Sequence, residues 1–510
     1  MSIIRNMSTS KASGPHSIPV NLLIEFIDVL IDPLISVINL SLKEGIFPSL
    51  CKEGYICPIY KKDNRFKCEH YRPISLLPNI SKIFERVMYN RLDNFLDQHD
   101  IIYPFQFGFR KKLSTTHALL SITEDIRKAL DNKMTACGVF VDLEKAFDTV
   151  NHNILLSKLC HCGIRGVANK WLTSYLSNRY QCVTFEEVVS ERKLVTCGVP
   201  QGSILGPLLF LLYINDMNKA FKFSTTYHFA DDTNLLCISR NLKDLRKSMN
   251  KDLKLLYTWL CANRLSLNVS KTEFIVFQPR RQKLKERITL KLNNTTLYES
   301  FKLKYLGLIL DYELNWKAHI TELSKKLARA VGLMYKIRHF CPEEIIKTLY
   351  FSIFNSHLSY GLPVWGSGNK DNMRKIQILQ NQALRAMIKG TDFETNTEQI
   401  RFDGKILSVS DLFYYQISSL MWDYDHNALP PSLSDLFRKS NSVHGYPTRM
   451  ATRGKLHIRK MSTTKYGNNS FCYVGTKALN ELKNLEIYNN AKSKSNFLTS
   501  LKRELISEYK

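Results

Sequence analysis

Several features that would define a protein class early are missing from these 510 residues. None of the 12 cysteines forms a C-x-x-C pair, and the cluster Cys160-His161-Cys162 has no second ligand pair at zinc-finger spacing. The most apolar run, from 204 to 214, is too short to span a membrane and predicts a buried helix. Neither an internal repeat nor a signal peptide is visible. These absences disfavour zinc-binding, membrane and secreted proteins, and we expect a reduced intracellular compartment.

Acidic residues are scarce relative to basic ones. There are 72 Lys and Arg residues against 46 Asp and Glu residues, which gives a formal net charge of +26. A field of that sign attracts polyanions, so nucleic acid is the first partner that the composition favours. A basic surface without any partner fits the same numbers, so the sequence motifs have to distinguish the two. The length corresponds to roughly three domains.

The spacing of apolar residues predicts a protein that mixes helices and strands. Helices are expected over 17–42, with a break at Pro33, and near 80–96, 119–130, 154–176, 204–213, 242–260 and 320–334. Ser114 is expected to cap the third of these. Strands are expected at 135–141, as a hairpin over 181–199, as two strands over 225–238, and at 267–277. We therefore predict an α+β fold with an antiparallel sheet backed by helices.

Three aspartates stand out by their positions in this pattern. Asp142 ends a predicted strand, and Asp231 and Asp232 lie between two apolar half-strands, 227–230 and 235–238. Adjacent carboxylates repel each other and contribute nothing to a hairpin turn, which favours Asn-Gly or Asp-Gly, so a bound cation is one explanation for the pair. Mg²⁺ prefers hard oxygen ligands of this kind. On these residues alone, solvated turn acids without a metal are the alternative.

Eight sequence blocks, in order, resemble the reverse transcriptases of non-LTR (LINE-type) retrotransposons, and jockey-like elements in particular. The resemblance runs from about residue 11 to about residue 310 and continues weakly beyond. His16 stands where the family usually has Asp. The blocks are KASGPHSIP at 11–19, PIYKK at 58–62 with YRPISLL at 71–77, QFGFR at 106–110 with STT at 114–116, VDLEKAFD at 141–148, GVPQGS at 198–203 with LGP at 205–207, FADD at 229–232, NVSKT at 268–272 and KYLG at 304–307.

The resemblance implies a right-hand polymerase. Fingers and palm would occupy 1–310, a helical thumb 311–390, and a basic, mostly helical region that contacts nucleic acid 391–510. The implied reaction adds deoxynucleotides to a DNA 3′-hydroxyl on an RNA template, with two Mg²⁺ ions or Mn²⁺ in their place. The implied partners are an RNA template, a DNA primer at the target site and dNTPs, without a membrane; the oligomeric state stays open. The family also implies a cytoplasmic ribonucleoprotein and the nucleus as locations.

The resemblance assigns catalytic roles to five residues. Asp142 and Asp231 would bind the metal ions directly, together with the backbone carbonyl of Leu143. Asp232 would support this metal site. Lys271 would protonate the leaving pyrophosphate or neutralise its charge; an exposed lysine without a role is the alternative.

The resemblance also assigns residues to the incoming nucleotide. Arg72 and Lys61 would hold its triphosphate, the first through bidentate guanidinium geometry and the second as a point charge. Phe147 would reject a 2′-hydroxyl, and Gln201 and Gly202 would position the nucleotide at a loop that enters a helix. The alternatives are a template contact, a core phenylalanine and a plain helix entry.

Several basic and aromatic residues are expected to contact nucleic acid. The stripe over 320–334 is expected to form thumb core with basic residues beside it, and the run 449–465 holds six basic residues and no acidic one. A solvated face explains either segment equally well. The expected contacts are Arg110, Tyr305, Lys325, Arg329, Arg449, Arg453, Arg459 and Lys460.

Three other functions stay open at this point. The chain is alternatively a catalytically silent, nucleic-acid-binding remnant of such an element, a group II intron maturase, or a viral RNA-dependent RNA polymerase. The intact acids argue against the first, the block at 106–110 against the second, and Phe147 against the third. No endonuclease is visible ahead of residue 11, so we expect that this chain does not itself nick the target DNA.

Overall fold

The computed structural model of the chain describes residues 1–10, 12–15, 17–61, 63–186, 188–278, 288–390, 395–443 and 454–509. Helices make up most of this part. A π-helical turn, Tyr350–Asn355, joins two of them, and one of the 3₁₀ turns, Val269–Lys271, lies near the predicted site. The helices are α1 (Ser2–Arg5), α2 (Val20–Glu25), α3 (Ile27–Glu44), α4 (Asn79–Gln98), α5 (Thr115–Asp131), α6 (His152–His161), α7 (Gly166–Leu176), α8 (Leu205–Ile214), α9 (Leu242–Ala262), α10 (Lys317–Ile337), α11 (Glu343–Leu349), α12 (Ser356–Ser359), α13 (Leu362–Trp365), α14 (Lys370–Met387), α15 (Thr397–Gly404), α16 (Val409–Asp425), α17 (Pro431–Ser434), α18 (Phe471–Leu482), α19 (Glu486–Asn489) and α20 (Lys494–Ser507).

Among the described residues, the strands form one purely antiparallel four-stranded sheet, one mixed sheet and three two-stranded pairs. The four-stranded sheet has the order β11-β3-β9-β8, and the mixed sheet joins β2, β1, β5, β6 and β7. The strands are β1 (Glu53–Tyr60), β2 (Tyr71–Leu76), β3 (Thr135–Val141), β4 (Leu143–Glu144), β5 (Arg179–Phe185), β6 (Val188–Val189), β7 (Lys193–Val195), β8 (Thr225–Phe229), β9 (Asp232–Ser239), β10 (Ser266–Leu267), β11 (Glu273–Phe277), β12 (Thr289–Leu292), β13 (Thr295–Tyr298), β14 (Lys302–Tyr305) and β15 (Leu308–Asp311).

The central strand β3 is buried along its whole length because both faces of its sheet are covered. Successive side chains of a strand point to opposite faces. Ala136 and Phe140 therefore join one hydrophobic core with α5, whereas Cys137, Val139 and Val141 join another with α8 and α9. The structure confirms the predicted α+β fold with an antiparallel sheet backed by helices.

Helix and strand positions follow the sequence predictions closely, with three differences. The predicted helix 154–176 is two helices, α6 and α7, because Gly163 between them and Gly166 at the start of α7 adopt positive φ values of 92° and 59°. The predicted strand 267–277 is interrupted by the 3₁₀ turn Val269–Lys271. The hairpin over 181–199 is confirmed, since β6 and β7 both pair with β5.

The third difference concerns Pro33, where the expected helix break was wrong. Helix α3 continues through Pro33, and the interruption lies at Phe26, between α2 and α3. Proline removes one helical hydrogen bond, here to the carbonyl of Val29. The Val29 side chain is 76% exposed, so water can satisfy a carbonyl on this side of the helix.

The region after residue 310 packs against the palm sheet through α5. Residues of α10, α14, α16, α18 and α20 share one hydrophobic core with α5 and with one face of the four-stranded sheet. The predicted domain borders at residues 310 and 390 therefore divide segments that share one core. The division into three domains stays a prediction. In the part of the chain that the structure describes, no helix combines the length and apolar character that a membrane span requires.

Candidate active site

The first acid, Asp142, follows β3 at one end of the four-stranded sheet. Strand β3 pairs with β9 in antiparallel register, and this pairing ends with Val141 opposite Thr233. Asp232 is the first residue of β9, so Asp142 and Asp232 occupy the next positions along the two strands beyond this pair. The two sequence-distant acids thus reach the same end of the sheet on neighbouring strands.

The second pair of acids lies on the β8–β9 hairpin. Phe229 pairs with Asp232, which leaves Ala230 and Asp231 as a two-residue turn. Ala230 has a φ of 58°, a left-handed conformation that alanine adopts only when its surroundings hold it there. Thr233 on β9 supports the hairpin from inside, because His228 Nδ1 lies 3.0 Å from its hydroxyl. Burial lowers the pKa of His228 to about 4, so this imidazole is neutral at pH 7.

The three carboxylates influence one another electrostatically. Burial raises the pKa of Asp231, and the charge of Asp142 raises it further. Burial raises the pKa of Asp232 to about 6, with contributions from the charges of Asp231 and Asp142. Like charges that destabilise one another in this way leave the site with a net attraction for cations.

Lys271 contacts the first of these acids. Its Nζ lies 3.1 Å from Asp142 Oδ2, and its side chain is 55% exposed. The loop that carries Lys271 is fixed at its start, because the Asn268 amide donates to the Asp142 carbonyl at 2.9 Å. β4 and β10 extend this contact through the pairing of Leu143 with Leu267. The structure therefore brings Lys271 and Asp142 together, as a shared role requires.

The side chains of the predicted metal ligands are near one another but do not form a ready-made coordination group. Within the described ranges, no three His, Cys, Asp or Glu side chains are grouped closely enough to hold a metal ion. The chemistry of the donors nevertheless fits a hard divalent cation, because Asp142, Asp231 and Asp232 are oxygen ligands whose negative charges oppose one another. The three-acid metal site, with the Leu143 carbonyl, stays a prediction.

Two cationic residues of the mixed sheet face the acids. Arg72 lies on β2, opposite Ile59 of β1, and Lys61 directly follows β1. The Lys61 amide donates to the His70 carbonyl at 2.9 Å, which holds the two chain segments together. Both cations lower the pKa of Asp231, against the larger effect of burial, so their charges lie within electrostatic range of the β8–β9 hairpin.

The loop that holds Gln201 and Gly202 joins the mixed sheet to the segment after Asp142. Gln201 donates from Nε2 to Asp148 Oδ1 at 2.8 Å, and its carbonyl accepts from the Ser75 amide at 2.7 Å. Gly202 has a φ of 131°, and a Cβ there would lie 2.5 Å from the Ser75 carbonyl oxygen. Burial raises the pKa of Asp148, and the Gln201 amide opposes this. Glycine at 202 is thus required for loop packing, whatever its role toward a nucleotide.

Phe147 lies between two other aromatic rings. It stacks on Phe210 at a centroid distance of 4.4 Å and meets Phe109 edge-on at 6.0 Å. Its backbone carbonyl also accepts from the Val199 amide at 2.9 Å. Phe147 is half-buried and packs against the hydrophobic core, so part of the residue stays accessible. This position is compatible both with rejection of a 2′-hydroxyl and with the alternative, a core phenylalanine.

Two of the residues expected to contact nucleic acid point inward. Arg110 Nη1 lies 3.4 Å from the carbonyls of both Tyr103 and Gln106, and burial lowers the pKa of its guanidinium. Tyr305 is 4% exposed and packs against Phe140 at 5.2 Å. Their positions argue against direct contact with a template or primer. Short sequence motifs could not predict this, because they do not reveal in which direction a side chain points.

The remaining expected contacts are on the surface or beyond the described part. Arg329, Arg459 and Lys460 are exposed. Lys325 is paired with Glu322 at 2.8 Å. Arg449 and Arg453 lie outside the described residues, as do Lys11, His16 and Lys62 of the sequence blocks.

An open cavity of about 860 Å³ lies between the β14–β15 hairpin and α10. Three lysines line it, of which Lys326 belongs to the basic residues expected beside the 320–334 stripe and the other two are Lys302 and Lys304. Glu273, the first residue of β11, also lines it and follows Lys271 by two positions. The cavity is therefore lined by three lysines and two glutamates, Glu273 and Glu322.

The sheet and its surroundings define a class of protein. An antiparallel palm sheet with acids at the ends of two adjacent central strands, faced by cationic fingers residues, is the architecture of the template-directed polymerases. Residues 59–310 match the reverse transcriptase (RNA-dependent DNA polymerase) family. Residues 59–310 of the chain belong to this family, which confirms the resemblance drawn from the sequence blocks.

The relatives of the chain are polymerases of mobile elements. It is 30% identical over 475 residues to the RNA-directed DNA polymerase from mobile element jockey of Drosophila melanogaster, which covers 89% of this chain and 50% of the relative. It is 32% identical over 372 residues to the probable RNA-directed DNA polymerase from transposon BS of the same species, with 68% and 40% covered. For the X-element polymerase of that species the identity is 30%, with 74% and 42% covered. The chain spans half or less of the length of these relatives.

The solved structures with some likeness to the chain include telomerases. Apo telomerase from Candida tropicalis aligns with a TM-score of 0.43 and 14% identity, covering 70% of this chain and 62% of that one. Telomerase from Candida albicans in complex with an RNA fragment aligns with a TM-score of 0.41 and 11% identity, covering 71% and 68%.

Proposed function

We propose that this chain is an RNA-directed DNA polymerase of a non-LTR retrotransposon, which extends a DNA 3′-hydroxyl on an RNA template. One observation supports the proposal above all others. Asp142 lies at the same end of the palm sheet as Asp231 and Asp232, and the charges of Arg72 and Lys61 reach that end. Carboxylates that attract cations, placed opposite cations that attract phosphates, suit phosphoryl transfer to a hydroxyl.

Asp142 and Asp231, with the Leu143 carbonyl, are the residues that would hold two Mg²⁺ ions, or Mn²⁺, and Asp232 would support them. When bound, the ions activate the attacking hydroxyl and neutralise charge on the phosphates. Lys271 would hold a proton close to the leaving pyrophosphate, because its ammonium already lies beside Asp142. Its contact with the acid holds the ammonium beside Asp142, while the side chain stays 55% exposed.

The fingers residues would bind and orient the nucleotide. Arg72 and Lys61 would hold the triphosphate by charge, and Gln201 would fix the loop that closes on the nucleotide through its bond to Asp148. Phe147 would lie under the sugar, where its ring leaves no room for a 2′-hydroxyl. Its stacking on Phe210 gives the ring the rigidity that a steric filter needs.

The basic cavity gives nucleic acid a path away from the acids. Lys302 and Lys304 on β14 and Lys326 on α10 would contact phosphates. Arg329 lies on the same helix as Lys326 and would extend this basic surface. Arg459 and Lys460 offer a second exposed basic surface. The partners would be an RNA template, a DNA primer at the target site and dNTPs, met in a cytoplasmic ribonucleoprotein and in the nucleus.

A primer-extension assay tests the proposal. The purified chain is given a DNA primer annealed to RNA, Mg²⁺ and either dNTPs or NTPs, and the products are sized. We expect DNA product in the dNTP reaction and none when EDTA replaces Mg²⁺. Extension with NTPs alone would favour a viral RNA polymerase, and template binding without extension a silent remnant. Stimulated splicing of a group II intron by a chain that does not extend the primer would favour a maturase.

Changing Arg72 to Gln should weaken nucleotide binding. Removal of a charge-assisted bond to the triphosphate is expected to raise the KM for dNTP about 10- to 100-fold, with a smaller effect on primer–template binding. Arg65→Gln is a matched control, because Arg65 lies over the Tyr60 ring in the same sheet region and has no assigned role. Equal KM values for the two variants would show that Arg72 does not hold the triphosphate.

Changing Phe147 to Val should relax the choice of sugar. Loss of ring volume is expected to increase the ratio of ribonucleotide to deoxynucleotide incorporation about 10- to 100-fold, while DNA synthesis continues. Phe109→Val removes the ring that meets Phe147 edge-on, and we expect it to leave that ratio within about twofold. Competition reactions with both nucleotide types measure the ratio. A Phe147 variant with unchanged sugar choice but lower stability would instead establish a core role.

A further inference from the structure

The segment Phe105–Gly108 runs beside β8 as an additional short strand. The Phe107 amide donates to the His228 carbonyl at 2.8 Å, and the His228 amide donates to the Phe105 carbonyl at 2.9 Å. A parallel bridge between Gln106 and His228 describes the same pairing. The segment is separated from the hairpin by about 120 residues of sequence, yet it lies directly against the strand that leads to Asp231.

Gln106 extends this contact to the turn itself. Its side-chain oxygen accepts from the Ala230 amide at 3.1 Å and from the Gly108 amide at 2.9 Å. The residue is 3% exposed, so water does not compete for these bonds. One buried carbonyl oxygen therefore ties the first residue of the β8–β9 turn to a neighbouring loop.

Gly108 allows the loop to approach this closely. A Cβ at position 108 would lie 2.3 Å from the Ala230 amide nitrogen, a distance that backbone atoms do not tolerate. The loop is held from its other side by Tyr103, whose amide donates to Asn215 Oδ1 at 2.8 Å and whose hydroxyl donates to the Thr226 carbonyl at 3.1 Å. The contact is thus a built feature with fixed partners on both sides.

We propose that Gln106 is a positioning residue for the reaction, which holds Ala230 in its left-handed conformation and so fixes the direction in which Asp231 leaves the turn. The inference rests on the proposed function, because it gives Asp231 a catalytic role. Ala230 has a φ of 58°, and without a fixed acceptor for its amide this conformation is disfavoured for a residue with a Cβ. A small rotation of the turn displaces the carboxylate, and a displacement of about 1 Å can cost about 100-fold in rate.

The test uses two variants of one position. Gln106→Leu has similar size and no acceptor, whereas Gln106→Glu keeps an oxygen at the same reach. In primer extension we expect Gln106→Leu to lower kcat about 10- to 100-fold with the KM for dNTP within about twofold, and to need more Mg²⁺ for half-maximal rate. Gln106→Glu is expected to recover most of the lost kcat. Gln399→Leu, at an exposed position of helix α15, is the matched control and should behave as the unchanged chain.

A second measurement does not depend on activity. Hydrogen–deuterium exchange of the peptide that covers 227–233 should become at least about tenfold faster in Gln106→Leu and stay near the original rate in Gln106→Glu. Peptides from α9 and α10 should not change. Unchanged exchange of the hairpin in Gln106→Leu would overturn the inference even if this variant polymerises more slowly.

Faster exchange throughout the chain, or an equal loss of kcat in both variants, would show that Gln106 is merely structural and would also overturn the inference. Failure of the unchanged chain to extend a primer would count against the proposed function, and the exchange result would still decide the role of Gln106 in the turn.

Discussion

Asp231→Ala is expected to lower the rate of deoxynucleotide addition by on the order of 10³-fold or more, without preventing the chain from folding. Asp231 lies in a two-residue turn and contributes no strand pairing, so its loss should change the fold little. Its carboxylate is one of three negative charges at the end of the sheet, and by our proposal one of two direct ligands of the catalytic cations. Single-turnover extension of a primed RNA template measures the effect.

The control for this variant is Asp244→Asn, which changes an exposed acid in the first turn of α9. It should polymerise within about twofold of the unchanged chain, since surface changes of this kind are energetically small. Comparable melting temperatures and template affinities for both variants would confirm that the loss concerns chemistry. An Asp231→Ala chain that extends primers at a rate within tenfold of the original would contradict the assignment of this acid.

Glu124→Ala is expected to lower the free energy of unfolding by about 3–5 kcal/mol, because it leaves a buried arginine without its anionic partner. Glu124 and Arg127 are both buried on α5, with Oε1 and Nη1 3.9 Å apart. The Glu124 carboxylate accepts from the Phe471 amide at 2.5 Å and the Cys472 amide at 3.1 Å, at the start of α18. Removal of the carboxylate would leave two buried amides without an acceptor and the Arg127 guanidinium without its anionic partner.

Arg127 shows why this effect should reach the whole C-terminal region. Its guanidinium donates to Ser367 at 3.1 Å, to the Val364 carbonyl at 3.0 Å and to the Asn469 carbonyl. One turn further along α5, Asp131 accepts from the amides of residues 462 and 463. A row of buried polar groups on one palm helix therefore fixes the segments that follow residue 360.

Denaturant unfolding followed by circular dichroism measures this prediction. Glu481→Ala, which removes an exposed carboxylate from α18 itself, should cost less than about 0.5 kcal/mol. The double variant Glu124→Gln/Arg127→Met should recover part of the loss, because no unpaired charge is left in the core. Equal stability of Glu124→Ala and Glu481→Ala would show that the buried pair does not fasten the C-terminal region.

Local patterns in the sequence predicted most of the palm. The strand 135–141 follows from its continuous, largely apolar run, because both faces of the sheet are buried. The helices around it follow from apolar residues at a period of 3.6. The blocks around Asp142 and Asp231 also predicted which acids would share one sheet end. Pairing of β3 with β9 confirms that they do.

Contacts between distant segments were beyond this kind of prediction. Gln106 was known as part of a sequence block, but nothing in the block indicates that its amide oxygen reaches Ala230. Glu124 and Arg127 have the spacing of an ordinary exposed ion pair on a helix, and only the packed C-terminal region makes them buried. Arg110 and Tyr305 were assigned to nucleic acid by type, whereas the structure turns both side chains toward the protein interior. In each case the deciding partner lies far away in sequence.

Binding of Mn²⁺ to the complex with primer, template and a non-hydrolysable dNTP analogue, followed by electron paramagnetic resonance, tests the central proposal most directly. Titration of the unchanged chain should show two bound Mn²⁺ ions per chain, and Asp142→Asn/Asp231→Asn should lose both while it still binds the primed template. Equal Mn²⁺ binding by the two chains would contradict the proposal that these carboxylates hold the catalytic cations.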